Sequence, residues 1–108
     1  MSMDAVFKAL ADPLRRQLLD DLRLRGGQTL NALCEGRGMT RQAVTKHLAI
    51  LQAANLIATE KRGREKLHYL NAVPIHEIAD RWIGRFDRVR LEALADLKHN
   101  LEGEESDG

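Results

Sequence analysis

Thr40, Arg41, Gln42, Thr45 and Lys46 stand close together in a chain of 108 residues, and their types suit one kind of chemistry. An arginine can make two parallel hydrogen bonds to guanine, and a glutamine can do the same to adenine. Threonine hydroxyls and lysine ammonium groups reach phosphates or base edges. None of these side chains is paired here with a nucleophile or a general base. The chemistry they point to is recognition of a nucleic acid, with Arg41, Gln42 and Lys46 as its main base readers or phosphate clamps. A second basic group follows at Lys61, Arg62, Arg64 and Lys66. Such a cluster meets the sugar-phosphate backbone or the neighbouring minor groove, where arginine is favoured.

The elements that must carry these residues can be read from the pattern. Thr40 predicts a helix N-cap, and Val44, His47, Leu48 and Leu51 then recur at helical spacing. Arg41, Gln42, Thr45, Lys46 and Ala49 fall on the opposite face. His47 shares the apolar stripe; packing with one local hydrogen bond is its main expectation, with base contact as the other. A short helix comes before, capped by Thr29 and carrying Leu30, Leu33 and Cys34, and Gly36-Arg37-Gly38 separates the two. Ile57–Arg62 and Glu65–Leu70 read as two strands joined at Gly63-Arg64. Upstream, Asp12-Pro13 predicts a helix start, with Leu14, Leu18, Leu19 and Leu22 on one face and Arg15, Arg16, Asp20 and Asp21 toward the other. A shorter helical piece lies around Ala5 to Leu10. Downstream, one long amphipathic segment is expected from about Ile75 to Leu101, which Gly84 weakens without ending.

The fold class that results is mainly α with a small β-hairpin: a winged helix-turn-helix, flanked by N- and C-terminal helices. Residues 1–101 are expected to form one domain, and 102–108 an acidic, disordered tail. Charge is divided unevenly. Residues 1–71 hold 12 Lys/Arg against 7 Asp/Glu, and residues 72–108 hold 5 against 9. The positive excess thus falls on the helix-turn-helix and hairpin, where a phosphate-binding surface needs it. No apolar run is long enough to cross a bilayer, and the N-terminus lacks the basic-then-apolar order of a signal peptide. A cytoplasmic protein is the expectation, which the single cysteine fits.

Three segments taken in order, FKALADPLRRQLLDDL, MTRQAVTKHLAILQAANLI and the wing RGREKLHYLN, resemble the ArsR family of winged-helix repressors over about residues 4 to 101. The resemblance implies a homodimer that binds double-stranded DNA at an imperfect inverted repeat and represses a promoter. It implies pairing through the first and last helices. That places Phe7, Leu10, Ile78, Trp82, Phe86, Val89, Leu94 and Leu97 near the interface. A long apolar face on a terminal helix, more than one small core can bury, agrees with this.

Many relatives sense metals through a pair of cysteines flanking one residue, or through Asp/His and His/Glu pairs on the last helix. Here Leu33-Cys34-Glu35 offers one thiolate, and His76, Glu77, Asp80 and His99 do not reproduce the paired spacing. Cys34, His47, His68, His76 and His99 read as isolated residues, and no metal or other cofactor is expected. The effector stays open between a small organic ligand, a protein partner and none. Two other functions are set beside the repressor: a metal- or metalloid-responsive repressor of the same fold, and a winged-helix adaptor that binds protein only. An enzyme is not expected. No nucleophile–base pair is present, and Gly26-Gly27 lacks the flanks of a phosphate loop.

Overall fold

A computed structural model of the chain describes residues 2–83 and 88–106. The elements in order are α1 (Met3–Leu10), α2 (Pro13–Leu24), α3 (Leu30–Cys34), α4 (Arg41–Ala53), β1 (Ile57–Arg62), β2 (Glu65–Leu70), α5 (Val73–Trp82) and α6 (Arg88–Ser106). The hairpin and the helix-turn-helix are therefore as the sequence predicts. Contacts divide the chain into two units, residues 1–77 and 78–108, where the sequence pattern predicts one domain to residue 101.

The helix starts of the first unit are fixed by short side chains. The Asp12 carboxylate accepts the backbone N–H groups of Leu14 at 2.8 Å and Arg15 at 3.2 Å, and Pro13 stands where no N–H is needed. Thr29 accepts from Ala32 N at 3.2 Å, and Thr40 from Ala43 N at 3.1 Å. Between α3 and α4 the backbone is left-handed at Gly36 and Gly38, with φ of +72° and +68°. Space does not demand glycine there, since an added Cβ would meet nothing within 4 Å. The backbone conformation does, because side chains with a Cβ rarely adopt it.

The core of this unit gathers the stripes that periodicity predicts. Leu18, Leu19 and Leu22 of α2, Leu33 of α3, and Val44, Leu48 and Leu51 of α4 are all buried. Val6 and Ala9 of α1, Ala54 after α4, and Leu56, Ile57 and Leu67 around the hairpin complete it. Cys34 is only half-buried. Arg15 departs from its predicted solvent-facing place. Its Nε donates to the Ala9 carbonyl at 2.8 Å and its Nη2 to the Lys8 carbonyl at 3.0 Å. Arg16 Nη1 reaches the Leu10 carbonyl at 2.6 Å. Two cations thus satisfy the free carbonyls at the end of α1, where helix geometry leaves acceptors without partners.

β1 and β2 pair antiparallel, with Arg62 opposite Glu65 and Lys61 opposite Lys66. Gly63, φ +63°, leads the two-residue turn that joins them. The other edge of β2 is also occupied. His68 N donates to the Gln28 carbonyl at 2.9 Å, and Gly27 N donates to the His68 carbonyl at 2.8 Å. His68 is consequently interior to the wing's base, only 4% exposed. Asn71 then fixes the exit of the chain. Its N–H donates to the Leu56 carbonyl and its Nδ2 to the Asn55 carbonyl, both at 2.8 Å.

In place of the one long helix expected from Ile75 to Leu101 the described residues form two, the first of which spans the boundary between the units. α5 ends at Trp82, with Ile83 N on the Ala79 carbonyl at 2.7 Å, and α6 starts at Arg88. α6 also runs past Leu101 to Ser106, so part of the segment read as a disordered acidic tail is helical. An i,i+4 contact between Lys98 and Glu102, 3.8 Å, supports that turn.

Candidate nucleic-acid interface

α4 is seated by one face and free on the other. Val44, Leu48 and Leu51 hold it in the core, which turns Arg41, Gln42, Thr45, Lys46 and Ala49 to solvent. Thr40, at the N-cap, is exposed as well. Its hydroxyl oxygen accepts from the helix backbone, so its proton remains available to an acceptor such as phosphate. Thr45 Oγ1 donates to the Arg41 carbonyl at 2.8 Å. That leaves Thr45 presenting lone pairs, which fit a base amino group better than a phosphate. Arg41 is positioned from the neighbouring helix, through a hydrogen bond to Asn31 Oδ1.

His47 does not join this group. It is half-buried, and its Nδ1 lies 3.3 Å from Arg15 Nη1. A guanidinium can only donate, so Nδ1 accepts and the ring proton sits on Nε2. The hydrogen bond expected of His47 is therefore present, but to α2 rather than to a nearby residue. Nδ1 is engaged toward α2, so base contact, the other expectation for His47, would fall to Nε2. Arg15, His47 and the end of α1 form one linked group that sets how α4 lies on α2.

Lys61, Arg62, Arg64 and Lys66 are all exposed on the wing. Arg62 Nη2 lies 3.3 Å from Glu60 Oε1, and Tyr69 donates to Glu60 Oε2, also at 3.3 Å. The remaining carboxylate nearby, Glu65, faces Arg62 across the ladder. Lys61 faces Lys66, and like charges opposite one another weaken a hairpin.

The residues predicted for subunit pairing divide by exposure. Phe7, Trp82, Leu94 and Leu97 are exposed, and Leu10 and Ile78 are half-buried. Phe86 and the side chain of Val89 lie outside the described residues. Leu91 and Leu101, absent from the predicted set, are exposed on α6 and extend its leucine stripe with Leu94 and Leu97. Their spacing of three and four residues was present in the sequence, but a stripe drawn as one continuous helix through Gly84 took its phase from α5. Among the described residues no three of His, Cys, Asp and Glu stand together as metal ligands would. No helix of the described residues is long and apolar enough to cross a membrane.

The geometry defines a winged helix-turn-helix, and comparison with known proteins agrees. Residues 10–60 match the family model described as "Helix-turn-helix domain". The chain is 36% identical over 86 residues to the uncharacterised HTH-type transcriptional regulator YuzN of Bacillus subtilis (strain 168), covering 74% of this chain and 94% of that one. It is 32% identical over 75 residues to the transcriptional repressor SdpR of the same organism, covering 69% and 82%. Among solved structures, an ArsR-like transcriptional regulator from Rhodococcus sp. RHA1 matches with a TM-score of 0.69 at 31% identity, over 94% of this chain and 91% of that one. The chain belongs to the ArsR family of winged helix-turn-helix transcriptional regulators. It is a transcriptional regulator and not an enzyme.

Proposed function

We propose that the protein is a homodimeric repressor that works in the cytoplasm and binds an inverted-repeat operator. In this reading each copy lays α4 in a major groove, with Arg41, Gln42, Thr45 and Lys46 toward the bases. Thr40 and the start of α4 meet a phosphate. Lys61, Arg62, Arg64 and Lys66 of the wing hold the flanking backbone or minor groove. The observation that carries the reading is the pairing of Lys61 with Lys66 beside the exposed polar face of α4. A hairpin stabilised only for itself would not place two ammonium groups opposite each other; a hairpin that meets phosphates gains from it. SdpR, named a transcriptional repressor, supports the direction of regulation. The exposed leucines of α6, with Phe7 and Trp82, support pairing of two copies, and two readers one DNA turn apart need a two-fold axis.

The test is fluorescence anisotropy with the duplex upstream of the protein's own gene, across a salt series. Affinity is expected to fall steeply as salt rises. Replacing Arg62 and Arg64 together by Ala should weaken binding to every duplex alike and reduce the slope of log K against log salt by about 2. A loss confined to one operator would contradict the backbone role of the wing. No binding even at low salt would favour the adaptor reading.

A further inference from the structure

A cavity of about 400 Å³ lies between the outer face of α4, the start of α3 and the base of the wing. That volume falls in the range of small-molecule sites. Its buried wall is Leu48 and His68, with Leu30 half-buried beside them. Its mouth is formed by exposed residues, among them Arg41, Ala49, Gln52 and Lys66. The cavity therefore has Leu48, Leu30 and one imidazole on its inner side, and a rim where the three cations Arg41, Arg64 and Lys66 outnumber the one carboxylate, Glu65.

His68 gives the interior a direction. Its Nδ1 lies 2.9 Å from the Gln28 carbonyl, which can only accept, so Nδ1 carries a proton. In the neutral ring Nε2 then holds a lone pair; no hydrogen bond to it is found among the described residues, and since no buried side-chain polar atom there lacks a partner, Nε2 is open to solvent. A side chain that is 4% exposed and lines a cavity offers that acceptor to whatever enters. At the other end Arg41 is held by Asn31 Oδ1, which orients its guanidinium at the mouth. Lys66 projects from the same face of β2 as His68, two residues away. Glu65, between Lys66 and the turn, also lines the cavity and is the one carboxylate there, set against Arg41, Arg64 and Lys66.

We propose that this cavity binds a small organic hydroxy acid: its carboxylate at Arg41 and Lys66, its apolar body against Leu48 and Ala49, and its hydroxyl donating to His68 Nε2. Arg41, Thr45, Arg64 and Lys66 line the cavity and also form the face assigned above to DNA. The acid and the operator thus exclude each other, and the acid acts as an inducer. The exclusion rests on that assignment; binding of the acid does not.

The probe is 4-hydroxybenzoate, titrated into the full chain without DNA and followed by amide and imidazole NMR. Saturable shifts are expected at Leu48, Ala49, Gln52 and the His68 ring. Benzoate, which lacks the donor, and 4-hydroxybenzamide, which lacks the charge, should each bind about tenfold more weakly, the worth of one hydrogen bond. Inorganic phosphate should shift only the rim. Ala49→Trp should fill the cavity and abolish the shifts. Gln52→Trp, one turn along α4 and also exposed, repeats the test if the first variant does not fold. No saturable shift at His68 and Ala49, the same pattern from phosphate, or undiminished binding in the Trp variants would overturn the site. Addition of 4-hydroxybenzoate should release a labelled operator duplex; a duplex that stays bound with the acid in place would overturn the exclusion. If no duplex binds at any salt, the DNA assignment fails while the acid titration still decides the site.

Discussion

α4 and α6 both carry a stripe of apolar residues, and they dispose of it in opposite ways. Val44, Leu48 and Leu51 of α4 are inside the first unit, while Leu91, Leu94, Leu97 and Leu101 of α6 are exposed. α4 is held by its own chain, so its outer face is free to be polar and to serve as a reading surface. α6 shows its apolar side to water in the single copy, and burying apolar surface is the main favourable term in association. In the function proposed above, the first of these faces reads DNA and the second receives another copy of the chain.

The sharpest way to break this comparison is to shorten one leucine on each helix. Leu51, fully buried, should cost about 2–5 kcal/mol of folding stability when changed to Ala, because a cavity is left behind. Leu94→Ala, at a position 56% exposed, should change the stability of the separated subunit by no more than about 0.5 kcal/mol. In the proposed dimer it should instead raise the dissociation constant. Urea unfolding and sedimentation on both variants distinguish the two. Equal losses of folding stability would mean that α6 packs on its own chain.

A smaller effect is expected at Arg15, whose side chain is 14% exposed and joins three elements. Arg15→Ala removes the donors for the Ala9 and Lys8 carbonyls and the partner of His47. A loss of about 1.5–3 kcal/mol is expected, as for hydrogen bonds to a charged group. Because α4 is set through His47, operator affinity should fall as well, though Arg15 itself touches no DNA in this reading. A variant with unchanged denaturation midpoint would show that the hydrophobic stripe alone seats α4.

What the sequence disclosed and what it withheld follow from the span of the interactions involved. Asp12, Thr29 and Thr40 act on backbone groups two or three residues away, so helix starts were legible. The strands were legible because the turn between them has only two residues, Gly63 and Arg64. The outer face of α4 followed from its period. Arg15 and His47 lie 32 residues apart, and the Gln28 carbonyl and His68 lie 40 apart. No local pattern encodes such pairs. His68 was accordingly read as an isolated residue, although it forms the wall of a cavity beside the reading surface. The end of α5 at Trp82 is not legible, because apolar residues continue at helical spacing beyond it in the sequence.

Asp12 offers a pH-dependent test of the first unit. Its carboxyl is held below the ordinary aspartate value of 3.8, first of all because it accepts the Arg15 N–H. The unfolded chain therefore takes up this proton at a higher pH than the folded one does. The stabilisation is complete above about the ordinary value and is lost as pH falls through the folded one. Asp12→Asn keeps a capping side chain but removes this titration. The stability difference between wild type and variant, from urea midpoints, should shrink as pH drops below 4. A difference that stays constant with pH would show that the cap gains nothing from its charge.

The wing supplies the smallest effect and the most direct link between stability and function. Lys61 and Lys66 face each other in the ladder, an arrangement unfavourable for the free hairpin. Lys61→Thr removes the repulsion and introduces a residue that favours strands, so the free protein should gain about 0.2–1 kcal/mol. The same change should weaken duplex binding and lower the salt slope by about 1. Thermal melting and anisotropy measured together decide the matter. A gain in stability with a loss of DNA affinity would mean that the wing holds charge its fold does not need, for a partner that does. Unchanged affinity would reduce Lys61 to a solvated side chain and leave phosphate contact to Arg62, Arg64 and Lys66.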